Sequence, residues 1–196
     1  MPDRNDARDM LRREGLTSYF DALMAVDEFT RLIQADCRKV LERHAAALHD
    51  ATGLKFAPKE ISDYSEPYNG RGKVWSGQYA SIGSMLPVLK SDKFSGTDAG
   101  LTWDQEDGPQ SPYFYSCFYT QNVSLLDHLK SKFNRDSDRL YVDKADYAIV
   151  LWGDLAVDPN GQYRFDALEE VVLKWISMWK KAGGVANVFN GQSRKS

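Results

Sequence analysis

Through the first fifty residues the apolar side chains keep the spacing of one helical stripe, and after Gly53 they stop doing so. That switch limits the fold more than any other feature of the chain. Leu16, Phe20, Leu23, Phe29, Leu32, Ile33, Val40, Leu41, Ala45 and Leu48 fall in steps of three and four, while Arg31, Lys39, Glu42 and Arg43 point elsewhere. Asp27 suits the cap of a second segment, which predicts a bend near Ala25–Asp27. Gly53 suits the left-handed residue that closes a helix. A separate short helix is expected before Gly15.

From Leu54 to Gln121 glycine, serine, proline and aromatic residues take over. The Asn69-Gly70 pair within Tyr68–Gly72 accepts the positive φ angles of a hairpin, so it predicts a turn joining strands near Phe56–Tyr64 and Lys73–Ser84. A third strand is expected over Ala99–Asp104, before Asp107-Gly108-Pro109 breaks the chain. Tyr113–Tyr119 carries the strongest strand signal. Period two places Tyr113, Tyr115, Cys117 and Tyr119 on one face, with Phe114, Ser116, Phe118 and Thr120 on the other. Both faces are apolar, which predicts a central strand.

Ser124–Asp127 resembles a capping box and predicts a short helix to about Phe133; Ala145–Trp152 reads as a buried strand, and Asp158–Gly161 as a turn. Asp166 then opens a helix with Leu168, Val171, Val172, Trp175 and Trp179 on one face. Its acids, Glu169 and Glu170, lie early and Lys180 and Lys181 late, which suits the helix dipole; Gly183-Gly184 ends it. Residues 191–196 are polar and are expected to form a mobile tail.

Helices first and strands next predict an α+β fold: N-terminal helices and a C-terminal helix packed on a mainly antiparallel β-sheet. The expected organisation is one domain over 1–190, helical over 1–53, strand-rich over 54–121 and helix–strand–helix over 122–183. At 196 residues, 42% hydrophobic and 27% charged, the chain has ordinary globular composition. A chain this long buries roughly 70% of its extended surface, enough for one core.

The balance of 25 Lys+Arg against 28 Asp+Glu, net -3, argues against nucleic acid as the partner. No window approaches the ~20 apolar residues of a membrane helix, and Met1–Asp6 opens no secretory signal. The expected compartment is therefore cytoplasmic, without membrane association. Cys37 and Cys117 are too few for a disulfide framework and are expected to be reduced and buried.

Familiar catalytic patterns do not form. His44 and His49 are five apart, which turns them away from each other on a helix, so no metal site and no cofactor are expected. The acidic run Asp104–Gly108 fails as a calcium loop, because the positions needing glycine and glutamate hold Pro109 and Tyr115. Gly70-Arg71-Gly72-Lys73 fails as a phosphate loop, because Pro67 and Val74 stand where glycine and Ser/Thr are required. Neither Glu60, Asp63, Glu66, Asp98 nor Asp104 is followed at plus two by the lysine of a metal-dependent nuclease. Gly-x-Ser-x-Gly is also absent.

Aromatic residues crowd the strand region and give the positive signal. They form core if both sheet faces are covered; with one face uncovered, they join nearby charges in a recognition surface. The candidate binding residues are Trp75, Trp103, Tyr113, Tyr115, Tyr119, Arg71 and Asp104. The resulting expectation is a non-catalytic protein of the inhibitor, immunity or adaptor kind, with another protein as partner. Two alternatives stand beside it: a metal-assisted hydrolase or nuclease using Glu60, Asp63 and Asp104, and a small-ligand module among Trp75, Trp103 and Tyr115.

Overall fold

A computed structural model describes residues 16–66, 80–91, 94–103, 112–120, 140–143, 148–160 and 162–185. The elements are α1 (Leu16–Thr52), a 3-10 turn (Pro58–Glu60), β1 (Ser62–Glu66), β2 (Ala80–Pro87), β3 (Phe94–Trp103), β4 (Pro112–Thr120), β5 (Leu140–Asp143), β6 (Ala148–Leu155) and α2 (Phe165–Ala182). The strands form one six-stranded sheet in the order β1-β2-β3-β4-β6-β5. Every neighbouring pair is antiparallel. The expected α+β architecture is the observed one.

Both helices pack on the same face of the sheet. Register aligns Ile82, Leu101 and Phe114 in one row beneath them, and Leu86, Thr97, Phe118 and Ile149 in another. Between these runs a row of small residues, Ser84, Ala99 and Ser116. Ile33, Cys37, Val40, Leu41 and Leu48 of α1 meet this face, as do Leu168, Val171, Val172, Trp175 and Trp179 of α2. The tryptophans stack edge-on at 5.7 Å, and Trp179 also meets Phe118 at 5.0 Å. Among the described residues no helix is long and apolar enough to cross a membrane.

Several local expectations need correction. α1 runs without a break through the cap expected at Asp27, whose side chain instead pairs with Arg31 one turn later at 2.6 Å. Its 37 residues span ~55 Å against ~33 Å for a ten-residue strand, so the helix outruns the sheet. Phe29 (37%) is accordingly exposed, and Leu32 (50%) turns away from the sheet, so neither is part of the buried stripe. Adjacent helical positions lie ~100° apart, so of Leu32 and Ile33 only Ile33 faces the sheet.

The first strand starts later than expected. Phe56 makes only an isolated bridge to Val88, and the 3-10 turn then interrupts, since Pro58 has no amide proton for a ladder. β3 begins at Phe94, ahead of the expected start, and the four-residue β5 was not anticipated.

β4 is central as predicted, between β3 and β6. The helix ends also match. Gly53 (φ 76) bonds back to the His49 carbonyl, and Gly183 (φ 75) closes α2 on Lys180 and Trp179. The Tyr68–Gly72 hairpin, the Asp107–Pro109 break, the Ser124–Phe133 helix, the helix before Gly15 and the 191–196 tail lie outside the described residues.

Candidate functional site

The face of the sheet turned away from the helices carries Tyr64 on β1, Gly83 on β2, Asp98 and Gly100 on β3, and Tyr113, Tyr115, Cys117 and Tyr119 on β4. Trp152 joins them from β6. Strand register puts Tyr64, Gly83, Gly100 and Tyr115 in one line across four strands, with Trp152 next to Tyr115. Strands lie ~4.8 Å apart, so the two tyrosines stand ~14 Å from each other at the backbone. Their rings lean inward over the two glycines until the hydroxyls bond at 2.5 Å. The glycines are what allow it. A Cβ on Gly83 would sit 2.7 Å from the Tyr64 hydroxyl, and one on Gly100 would sit 2.7 Å from the Tyr115 ring.

Asp98 holds the line from below. Opposite Cys117 in the register, it is fully buried. Its Oδ2 accepts the hydroxyls of Tyr64 and Tyr119, each at 2.8 Å, and its Oδ1 accepts the Cys117 amide at 2.7 Å. On the helix side, Thr97 donates to the Cys117 carbonyl at 2.7 Å and Ser116 donates to the Asp98 carbonyl at 2.6 Å. Side chains thus tie β3 to β4 from both faces at one point.

Burial pushes the Asp98 carboxyl above its ordinary pKa, against the pull of the phenols and the amide. Burial, then the neighbouring carboxylate, raises Tyr64, Tyr115 and Tyr119 well above the usual phenol range. All three phenols therefore keep their protons and act as donors. No cation joins Asp98 among the described residues.

Trp152 extends the aromatic surface. It meets Tyr113 edge-on at 6.5 Å and Tyr115 at 6.4 Å. Tyr64, Tyr113, Tyr119 and Trp152 are half-buried, whereas Tyr115 is buried. Tyr113, Tyr115 and Tyr119 thus share a face, as period two predicts. Trp103 ends β3 opposite Pro112, and Trp75, Arg71 and Asp104 lie outside the described residues. Sequence reasoning missed Tyr64, Asp98 and Trp152 as site residues. The signal for them was glycine inside two strands, which marks close approach by another group.

The two described carboxylates of the hydrolase reading, Glu60 and Asp63, go elsewhere. Asp63 faces α1, bonding Arg38 at 2.8 Å and the Ser84 hydroxyl at 2.7 Å, and Glu60 is exposed on the 3-10 turn. Nearby, a shallow recess of about 270 Å³ is lined by Arg31, Gln34, Arg38, Lys39, Glu42 and Asp63. Its arginines are already paired with Asp27 and Asp63. Gln34 and Arg38 also donate to the Tyr64 and Ile61 carbonyls, so α1 side chains cover edge strand β1.

His44 bonds Glu169 at 2.8 Å, and His49 bonds the Leu54 carbonyl. Among the described residues no three His, Cys, Asp or Glu side chains are grouped to hold a metal. Cys37 and Cys117 are free and buried, one on α1 beneath the helix layer and one on the tyrosine face. Comparison of the chain with protein-family models, characterised proteins and solved structures finds no match.

Proposed function

We propose that this is a non-catalytic protein that binds another protein through the tyrosine face of its sheet. The observation that carries the reading is the line Tyr64–Gly83–Gly100–Tyr115, fastened by a buried carboxylate. A core needs no such device. Burying a carboxylate costs several kcal/mol, and an apolar side chain would fill the space more cheaply. What the carboxylate supplies is order. The half-buried rings at the margin of the face, Tyr64, Tyr113, Tyr119 and Trp152, would lose little entropy on contact if fixed before binding, and tyrosine and tryptophan dominate binding hot spots.

The mildly acidic charge offers no attraction to phosphate backbones, which favours a protein partner over nucleic acid. The working compartment we infer is the reducing cytoplasm, where two free thiols are stable.

The test is capture from a native lysate, followed by affinity measurement with the isolated partner. Tyr113→Ala and Trp152→Ala should each weaken binding at least tenfold. Leu173→Ala, an exposed apolar change on α2, should leave it within twofold. Equal losses from all three, or no stoichiometric partner at all, would reject the reading.

A further inference from the structure

α1 buries one side of itself against the sheet and leaves the opposite side exposed. Ala25, Glu28, Leu32, Ala35, Lys39 and Glu42 recur along that outer ridge in alternating steps of three and four, and all six are exposed. Such steps make a seam that a second helix can follow. Ile33, Cys37 and Val40 mark the buried side, about half a turn around the helix. A lone exposed leucine needs no explanation. The order of charges on either side of Leu32 is what calls for one.

The seam selects its own partner. Laid antiparallel on a second copy of α1 so that Leu32 meets Ala35 of that copy, the ridge also sets Glu28 against the copy's Lys39 and Ala25 against its Glu42. Two-fold symmetry repeats each contact, so two apolar contacts lie at the axis with a carboxylate–ammonium pair on either side. Ala25 is small and leaves the Glu42 carboxylate open to water. Sliding the helices by one heptad in either direction presses a carboxylate, Glu42 or Glu28, onto Leu32. A parallel pair in register sets Glu28, Lys39 and Glu42 each against its own kind, which is repulsive. Of these arrangements the first alone matches apolar with apolar and charge with counter-charge. Charged residues within a seam fix register and direction in this way, at a cost in stability.

The neighbouring groups permit it. Arg31 and Arg38 flank the ridge and approach their own kind across the axis, but each already has a counter-charge, Asp27 and Asp63. Lys39 rests over the Phe165 ring, 5.5 Å from its centroid. A ring face satisfies one side of an ammonium only, so an incoming carboxylate adds to that contact.

We propose that α1 pairs antiparallel with α1 of a second copy of this chain, forming a weak two-fold dimer through this ridge. The overlap is ~30 Å long and ~10 Å wide, a footprint on the order of 300–400 Å² per copy. A standard stable interface takes about 800 Å² per partner, so the dimer belongs at the transient end, with a Kd on the order of 0.1 mM. The pairing goes beyond the binding reading above and does not depend on it. The ridge lies on the far side of the helix layer from the tyrosine face, which the dimer leaves free.

Sedimentation equilibrium of the full chain, from about 10 µM to about 1 mM, tests it. The chain should show a reversible monomer–dimer equilibrium. Glu28→Lys or Lys39→Glu makes both charge pairs repulsive, and each should weaken the dimer at least tenfold. Combining the two exchanges the charges and should restore the constant to within threefold. Glu60→Lys, the same charge change on the exposed 3-10 turn, should leave it within twofold. Leu32→Gln removes the central apolar contact without adding charge and should weaken the dimer about threefold or more, so the test does not hang on charge reversal. A monomer at the highest concentration, single reversals that behave like Glu60→Lys, a combined variant no better than the single ones, or an indifferent Leu32→Gln would overturn the proposal.

Discussion

Glycine to alanine inside a strand is ordinarily harmless or stabilising by about 0.4–1 kcal/mol, because alanine leaves the unfolded chain less freedom. Gly100→Ala should do the reverse. Its Cβ would stand 2.7 Å from Cζ and Oη of Tyr115 and 2.9 Å from the Ile82 carbonyl oxygen. Carbon contacts are comfortable at ~3.5–4.0 Å, so the ring must withdraw by about 1 Å. Such overpacking costs about 1–3 kcal/mol. Withdrawal also breaks the hydroxyl bond to Tyr64, adding about 1 kcal/mol.

A net loss of about 2–3 kcal/mol corresponds to a Tm lower by roughly 5–10 °C for a chain of this size. Urea and thermal unfolding, followed by far-ultraviolet circular dichroism, measure it. The control is a double-mutant cycle with Tyr115→Ala, because removing the ring removes most of the clash. In that background Gly100→Ala should cost at least ~1 kcal/mol less. A neutral or stabilising Gly100→Ala, or the same cost with and without the ring, would refute the seating of Tyr115 on Gly100.

Two carboxyl groups should give stability limbs of opposite sign. Glu169 is held below its ordinary pKa by hydrogen bonds from His44 and then Arg43, so the unfolded chain binds its proton more tightly. Its contribution, about 0.5–1 kcal/mol for a partly exposed pair, should be present at neutral pH. It should fade as pH falls below about 4.5 toward the lowered value, and Glu169→Gln should abolish that limb. Asp98 is raised by burial, so the folded chain keeps its proton longer and stability should fall as pH climbs from 3.8 through the raised value. Asp98→Asn should flatten this second limb; urea titrations across pH check both, and unchanged profiles would count against both placements. Leu168→Ala empties a fully buried site under α2 and should cost about 2–5 kcal/mol in the same assay, a cost under 1 kcal/mol being incompatible with that packing.

What could be read from the residues followed their separation along the chain. α2 was legible because its apolar period and its closing glycine agree, and β4 because seven consecutive residues fit a pleated surface. α1 was legible as a helix, but not which of its apolar residues are buried. Leu32 and Ile33 are both apolar in sequence, and the ~100° step between them decides that Ile33 meets the sheet and Leu32 does not. Asp27 satisfied the rule for a cap and bonded Arg31 instead, because an uninterrupted helix left it facing that side chain.

The tyrosine line was half visible. Alternation alone places Tyr113, Tyr115 and Tyr119 together. Tyr64 lies 51 residues from Tyr115 and 34 from Asp98, and their meeting depends on three strand registers that no local pattern counts. Asp98 fell just ahead of the strand expected over Ala99–Asp104, and it was weighed only as an acid of the metal-dependent nuclease pattern. Gly83 and Gly100 were the remaining clue. Each looks like a weakness in its strand until the ring lying on it is known.

The most direct measurement replaces single residues with photoreactive benzoylphenylalanine in the full chain and irradiates it in a native lysate. Position 113 reports on the tyrosine face and position 173 on the exposed side of α2. The expected result is a single cross-linked polypeptide from position 113 and none from position 173. The same polypeptide attached through 173 and not through 113 would contradict recognition by the sheet and move it to the helices.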